Sequence, residues 1–167
     1  MPEAGGRLKA GTGIYATASF TPAGAAYSAG DIMSVAQEFA FTYSDSGLAV
    51  PDGALIRLLT TVLKIDQTGL QASEASYTLP LYSVTPPSAQ ADNAAWTLAS
   101  ADLPSYRGTV SLGTPVDLGA ACFIKSQLSD QQDIRLAGTS LWGELITVAG
   151  FTATAVARQV SIYGMIV

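Results

Sequence analysis

The chain has 167 residues, of which 49% are hydrophobic and only 13% charged, with a net charge of -5, no histidine and one cysteine. That length fits one domain able to bury roughly 70% of its unfolded surface. The charge balance excludes a cationic nucleic-acid face, since release of counterions from phosphate needs clustered Lys and Arg. It equally excludes attraction to an anionic membrane surface.

Residues 1–13, MPEAGGRLKAGTG, hold four glycines and no periodicity, and read as a flexible N-terminal arm carrying Arg7 and Lys9. They contain no apolar segment of the signal-peptide kind, and no run in the chain approaches the ~18 apolar residues of a membrane span. Synthesis and folding in a cytoplasm are therefore expected. A single domain is expected over 14–167.

Ile14 to Pro22 predicts a short strand. Ala26 to Val35 predicts a second, broken at Gly30-Asp31 by a bulge or tight bend. Gln37 to Tyr43 alternates, with Phe39, Phe41 and Tyr43 on one parity, as a half-buried strand does. Two turns follow, Ser44 to Gly47 and Pro51 to Gly53. Ala54 to Gln67, ALIRLLTTVLKIDQ, then forms the longest run without Gly or Pro. Leu55, Leu59, Leu63 and Ile65 fall on one parity, and Ile56, Leu58 and Val62 on the other. Both faces being apolar, this is expected to be a central strand covered on both sides. A helix is the rival, because Leu55, Leu58, Leu59, Val62 and Leu63 also keep helical spacing. The β-branched Thr60, Thr61, Val62 and Ile65 favour the strand.

Ala75 to Val84 predicts a strand that lies at an edge or is bulged at Pro80, which cannot donate to a ladder. Ser88 to Pro104 carries the local helix signals. Asp92 is placed to cap a turn over Asn93 to Trp96, and Ser100 a second turn stopped by Pro104, so one or two short helical turns are expected. Tyr106 to Leu112 and Ala121 to Leu128 predict strands, Ile134 to Val148 a strand pair broken at Gly138 or Gly143, and Phe151 to Arg158 a loop or short helix. Gln159 to Val167 predicts an apolar strand paired inside a sheet. Roughly eight to ten strands with no long helix and long crossings imply an all-β chain, a β-sandwich of jelly-roll type.

Candidate chemistry is sparse. Without histidine, the commonest general base and transition-metal ligand are missing. Cys122 lies among Ala121, Phe123 and Ile124, as a buried inert thiol does. A carboxylate pair for glycoside hydrolysis is the best enzyme reading, from Asp31, Glu38, Glu74, Asp92, Asp102, Asp117 and Glu144. All but Glu38 and Glu144 sit in turns beside Gly, Ser, Asn or Pro, where carboxylates bond the local backbone. Glu144, between Gly143 and Leu145 in an apolar setting, is the odder of the two, with Arg135 or Arg158 as expected partners. The 2 Trp and 7 Tyr are spread along the sequence without clustering. No calcium loop or phosphate loop is present. Catalytic residues, metal ligands and cofactors are therefore expected to be none. Trp96, Tyr106 and Arg107, on polar loop sequence, are candidate protein-interface residues together with Arg7 and Lys9.

Leu81-Tyr82, then Pro87-Ser88-Ala89-Gln90-Ala91-Asp92-Asn93-Ala94-Ala95-Trp96, then Tyr106-Arg107-Gly108, together with Tyr27-Ser28-Ala29-Gly30-Asp31, make a pattern over about a third of the chain. It resembles small structural proteins of tailed bacteriophages, in particular head decoration (cement) proteins. The resemblance implies a virion component on the capsid surface, a homotrimer whose partner is the major capsid protein, with the basic arm reaching a capsid subunit. The alternative is a tail or host-contact module of similar fold that binds carbohydrate; a small β-sandwich hydrolase is a third class. Solvent-facing aromatics clustered with a carboxylate would favour sugar binding.

Overall fold

The computed structural model describes residues 11–129 and 133–167. Their strands are β1 (Gly13–Phe20), β2 (Ala26–Tyr27), β3 (Gln37–Ala40), β4 (Thr42–Tyr43), β5 (Leu55–Ile65), β6 (Tyr77–Tyr82) and β7 (Tyr106–Gly113) in the first part. After them come β8 (Val116–Asp117), β9 (Cys122–Gln127), β10 (Asp133–Arg135), β11 (Ser140–Gly143), β12 (Ile146–Thr147), β13 (Phe151–Thr152) and β14 (Arg158–Ile166). One sheet runs β4-β1-β14-β5-β9-β8, with β10 beside the start of β5. The other runs β3-β11-β6, with β7 and β12 also on β6. A two-stranded ribbon joins β2 and β13.

Ranked along the chain, the eight principal strands (β1, β3, β5, β6, β7, β9, β11, β14) lie in the order 1-8-3-6 in one sheet and 2-7-4-5 in the other. That order is the jelly roll, two antiparallel sheets wound as a pair of Greek keys. The core lies between the sheets. Phe20, Leu63, Ile65, Val160 and Ile162 from the first meet Phe39, Leu79, Leu81 and Leu141 from the second, all at 3% exposure or less. Alternation fixes each inward face. In β1, Ile14, Ala16, Ala18 and Phe20 point in, while Tyr15, Thr17 and Ser19 point out.

The central strand is β5, flanked by β14 on one side and by β9 and β10 on the other. Its apolar residues on both parities have a cause the sequence reading did not name. Opposite β14 the register skips at Leu59: Thr60 faces Tyr163, and Leu58 faces Gly164. This β-bulge switches the parity that faces the core, from Ile56 and Leu58 before it to Thr61, Leu63 and Ile65 after it. Gly164 is required there, since a Cβ would lie 2.3 Å from the Arg57 carbonyl oxygen.

Other expectations are adjusted. Gln37 to Tyr43 divides between the sheets, β3 pairing with β11 and β4 with β1, with buried Phe41 at the corner. Ile134 to Val148 makes no strand pair with itself, because β10 joins the first sheet and β11 and β12 the second. Pro80 lies in an interior strand, and the bulge expected there is present between Pro80 and Tyr82. Gly11 and Ile166 are backbone-bonded, as are Ile166 and Thr12, so the last residues of the expected arm join the sheet. Residues 1–10, with Arg7 and Lys9, lie outside the described residues.

No helix occurs among the described residues; of the two short turns expected over Ser88 to Pro104, the second is a hydrogen-bonded turn at 100–105, with the Asp102 N–H on the Ala99 carbonyl and the Tyr106 N–H on that of Asp102, while the first does not become helical. Asn93 has a left-handed φ of 65°, which stops a helix at its first turn. The backbone of this stretch instead bonds to a distant one: Asn93 N–H to Ile32 O, Ile32 N–H to Ala94 O, and Trp96 N–H to Gly30 O. Long-range pairing has taken the donors that a helix needs.

Candidate functional site

On the second sheet, the inward positions are Phe39, Leu141, Leu79 and Leu81. The outward positions form a row across four strands. Glu38 on β3 faces Trp142 on β11, Trp142 faces Tyr82 on β6, and Tyr82 faces Tyr106 on β7. The Tyr82 and Tyr106 rings lie 5.8 Å apart with planes tilted by 58°. Trp96, on the loop between β6 and β7, reaches the same row and donates its indole N–H to the Tyr82 hydroxyl at 3.2 Å. Both tryptophans thus gather with two tyrosines on the outer side of this sheet, where Tyr82 is itself buried, against the sequence reading of aromatics without clustering.

Beneath the row lies Glu144, 2% exposed. The Tyr82 hydroxyl donates to its Oε2 at 3.1 Å, and the Gln90 backbone N–H to its Oε1 at 3.4 Å. Neither expected arginine is its partner: Arg135 bonds the Gly53 carbonyl, and Arg158 pairs with Glu74. Burial, reinforced by the negative charge of Asp102, pushes the Glu144 carboxyl above its ordinary value, against the pull of its donors. Burial likewise raises the Tyr82 phenol. With both Glu144 oxygens engaged inside the protein, no substrate atom has access to them.

The other carboxylates also serve the backbone. Asp92 accepts from Ala23 N–H, Tyr27 O–H and Ser34 N–H at 2.8, 2.8 and 2.6 Å, tying three segments together rather than capping a turn. Asp102 accepts from Ser88 N–H at 3.0 Å, Asp31 from Ser28 N–H at 2.6 Å, and Asp117 from Gly119 N–H at 2.7 Å. Glu74 holds Arg158 at 3.0 Å, Gln71 N–H at 2.8 Å and the Tyr77 hydroxyl. Glu38 points to solvent, receiving the Ser140 hydroxyl.

Of the residues singled out from sequence, Trp96, Tyr106 and Arg107 come together here. Arg107 donates to the Ser83 hydroxyl at 2.9 Å and to the carbonyls of Pro104 and Tyr106 at 3.0 Å each. Trp142, Glu38, Ser140 and Tyr82 were missed as members of the site. Their outward parity is legible in three short strands, but which strands adjoin is not. Cys122 is fully buried, and burial raises its thiol. Among the described residues no group of three or more Cys, Asp or Glu is placed to hold a metal ion.

No protein-family model and no curated protein matches the chain. Among solved structures it is similar to a bacterial lipoprotein from Bacteroides thetaiotaomicron, at 9% identity and a TM-score of 0.33, covering 99% of this chain and 92% of that one. It is similar to the Kashmir bee virus virion, at 11% identity and 0.26, over 92% of this chain and 70% of that one. It is also similar to the Israel acute paralysis virus pentamer, at 14% identity and 0.24, over 74% and 65%. Likenesses this distant carry no functional argument.

Proposed function

We propose that this chain is a non-enzymatic virion structural protein, a decoration or cement protein on the outer surface of a bacteriophage head. It assembles as a homotrimer and binds the major capsid protein, bridging neighbouring subunits so that the shell resists expansion. The observation that carries the reading is an exposed apolar hairpin at the edge of the first sheet. Val116 on β8 and Phe123 on β9 are directly paired, and Leu118 follows at the turn; they are 60%, 37% and 67% exposed. An outward apolar cluster on a free sheet edge is a cost to an isolated molecule and an asset to one docked on a neighbour. The buried carboxylates, spent on backbone donors, support a structural rather than catalytic role. Tyr106 and Arg107, on edge strand β7, and the basic Arg7 and Lys9 are further contacts in this proposal.

The test is binding to purified phage heads lacking decoration, read by co-sedimentation, with the oligomer measured by mass photometry. Wild type is expected to saturate the heads and to run as a trimer. Leu118→Asp is expected to weaken head binding at least tenfold with unfolding temperature unchanged. Removal of residues 1–10 is expected to lower occupancy. Equal occupancy by the Leu118 variant would overturn the hairpin as docking surface, and absence of wild-type binding would overturn the cement role.

A further inference from the structure

We infer that the outer face of the second sheet carries a site for a neutral sugar ring, centred on Trp142. A depression of about 270 Å³ opens there, lined by Glu38, Ser83, Val84, Thr85, Ser140 and Trp142, with Ala137 and Gly138 beside them. Its volume suits a single ring rather than an extended ligand. The mixture is the one sugar recognition needs: an apolar aromatic wall for the C–H face of a pyranose, and fixed polar groups for its hydroxyls.

The polar groups are held in place beforehand. Glu38 is tied to Ser140, its neighbour across the strand pair, and retains acceptor capacity on its carboxylate. The Ser83 hydroxyl accepts from Arg107, which leaves its own proton free to donate outward. The Trp142 indole N–H has no hydrogen-bond partner among the described residues, so a donor is free on the aromatic wall itself. Beneath, the Tyr82–Glu144–Gln90 bonds and the Trp96 indole stiffen the sheet from which Trp142 projects. Ordering of the receiving groups before binding is where affinity for a small polar ligand is usually lost.

Charge selects among sugars. The depression is lined by one carboxylate and no cation; Arg107, which reaches the lining residue Ser83, has its guanidinium bound to that hydroxyl and to the Pro104 and Tyr106 carbonyls. Anionic sugars, such as uronic or sialic acids, meet repulsion from Glu38, so a neutral hydroxyl-rich pyranose is the favoured occupant. A second aromatic face of the kind that cages a quaternary ammonium is missing from the lining, which argues against a choline-like cation.

With only two tryptophans in the chain, the indole N–H resonances give a direct readout. A ¹⁵N-labelled sample of the full chain is titrated with methyl glycosides of glucose, galactose, mannose and N-acetylglucosamine. At least one is expected to shift the Trp142 indole saturably, with Kd of order 1 mM, as suits one stacked ring. The Trp96 indole is expected to move little. Trp142→Ala is expected to abolish the response and Glu38→Gln, an exposed and fold-neutral change, to weaken it at least threefold. Backbone resonances away from the depression report that both variants remain folded. The inference is overturned by no saturable shift with any glycoside at 50 times that concentration, by equal movement of both indoles, by binding unchanged in the Glu38 variant, or by tighter binding of tetramethylammonium or glucuronate.

Discussion

Glu144 shows how a single residue can be misread from sequence. It sits in apolar surroundings and invites either a catalytic role or an arginine partner, yet its partners are a phenol and a backbone amide. Because its folded-state carboxyl is raised, the neutral form is favoured in the fold. Its contribution to stability is then present below the ordinary carboxylate range and is lost as pH rises through the folded value. Glu144→Gln keeps the neutral form at all pH. The variant is therefore expected to match wild type near pH 4 and to be more stable at pH 7, the gap opening between. Urea titrations across that window, on both proteins, check it; parallel pH profiles would show that Glu144 is ionised without penalty. Asp133 has the opposite sign, since its bond to Arg57 holds it low, but the pair is solvent-exposed and cancels in the difference between the two proteins.

At the scale of elements, the bulge in β5 is the clearest case. A flat strand with Leu55 to Ile65 in one register would bury half of its apolar residues and expose the rest. The skip at Leu59 lets Ile56 and Leu58 and then Leu63 and Ile65 reach the core from a single strand. The backbone of β14 must approach closely to allow this, and Gly164 provides the room. Gly164→Ala is expected to cost about 1–3 kcal/mol, the range of overpacking in a structure that cannot relax. Equilibrium urea unfolding measures it; a change under 0.5 kcal/mol would mean that the bulge moves freely. The strands themselves were legible because alternation and β-branching are local. The bulge was not, since apolar residues on both parities read equally as a strand covered twice. The helical signal at Asp92 misled for a related reason. Capping residues report only what the local backbone would do alone, and here Gly30 to Ile32 competes for the same N–H groups. The aromatic row was hidden for a third reason: Glu38, Trp142, Tyr82 and Tyr106 are 24 to 104 residues from their partners, and only strand order joins them.

The whole molecule is closed by its last strand. β14 pairs with β1 from Gly13 to Phe20 on one side and with β5 from Ile56 to Ile65 on the other, so the chain's two ends meet in the middle of one sheet. Its inward side chains, Val160, Ile162 and Ile166, are at most 1% exposed, and Arg158 at its start holds Glu74 in a fully buried pair. Until β14 docks, β1 and β5 each present an open edge, and Glu74 is a charge without its cation. Sheets assembled from pairings this distant in sequence fold slowly, because loop closure precedes the contacts that reward it. A chain ending at Ala157 is therefore expected to lack a cooperative unfolding transition and to aggregate through those edges. A synthetic peptide of residues 158–167 added during refolding is expected to restore the transition, since every bond β14 makes is intermolecular in kind once the covalent link is cut. Circular dichroism melts of the shortened chain with and without the peptide decide the matter. A shortened chain that melts cooperatively alone would show that β1 and β5 can pair directly, and that the jelly roll does not depend on its final strand.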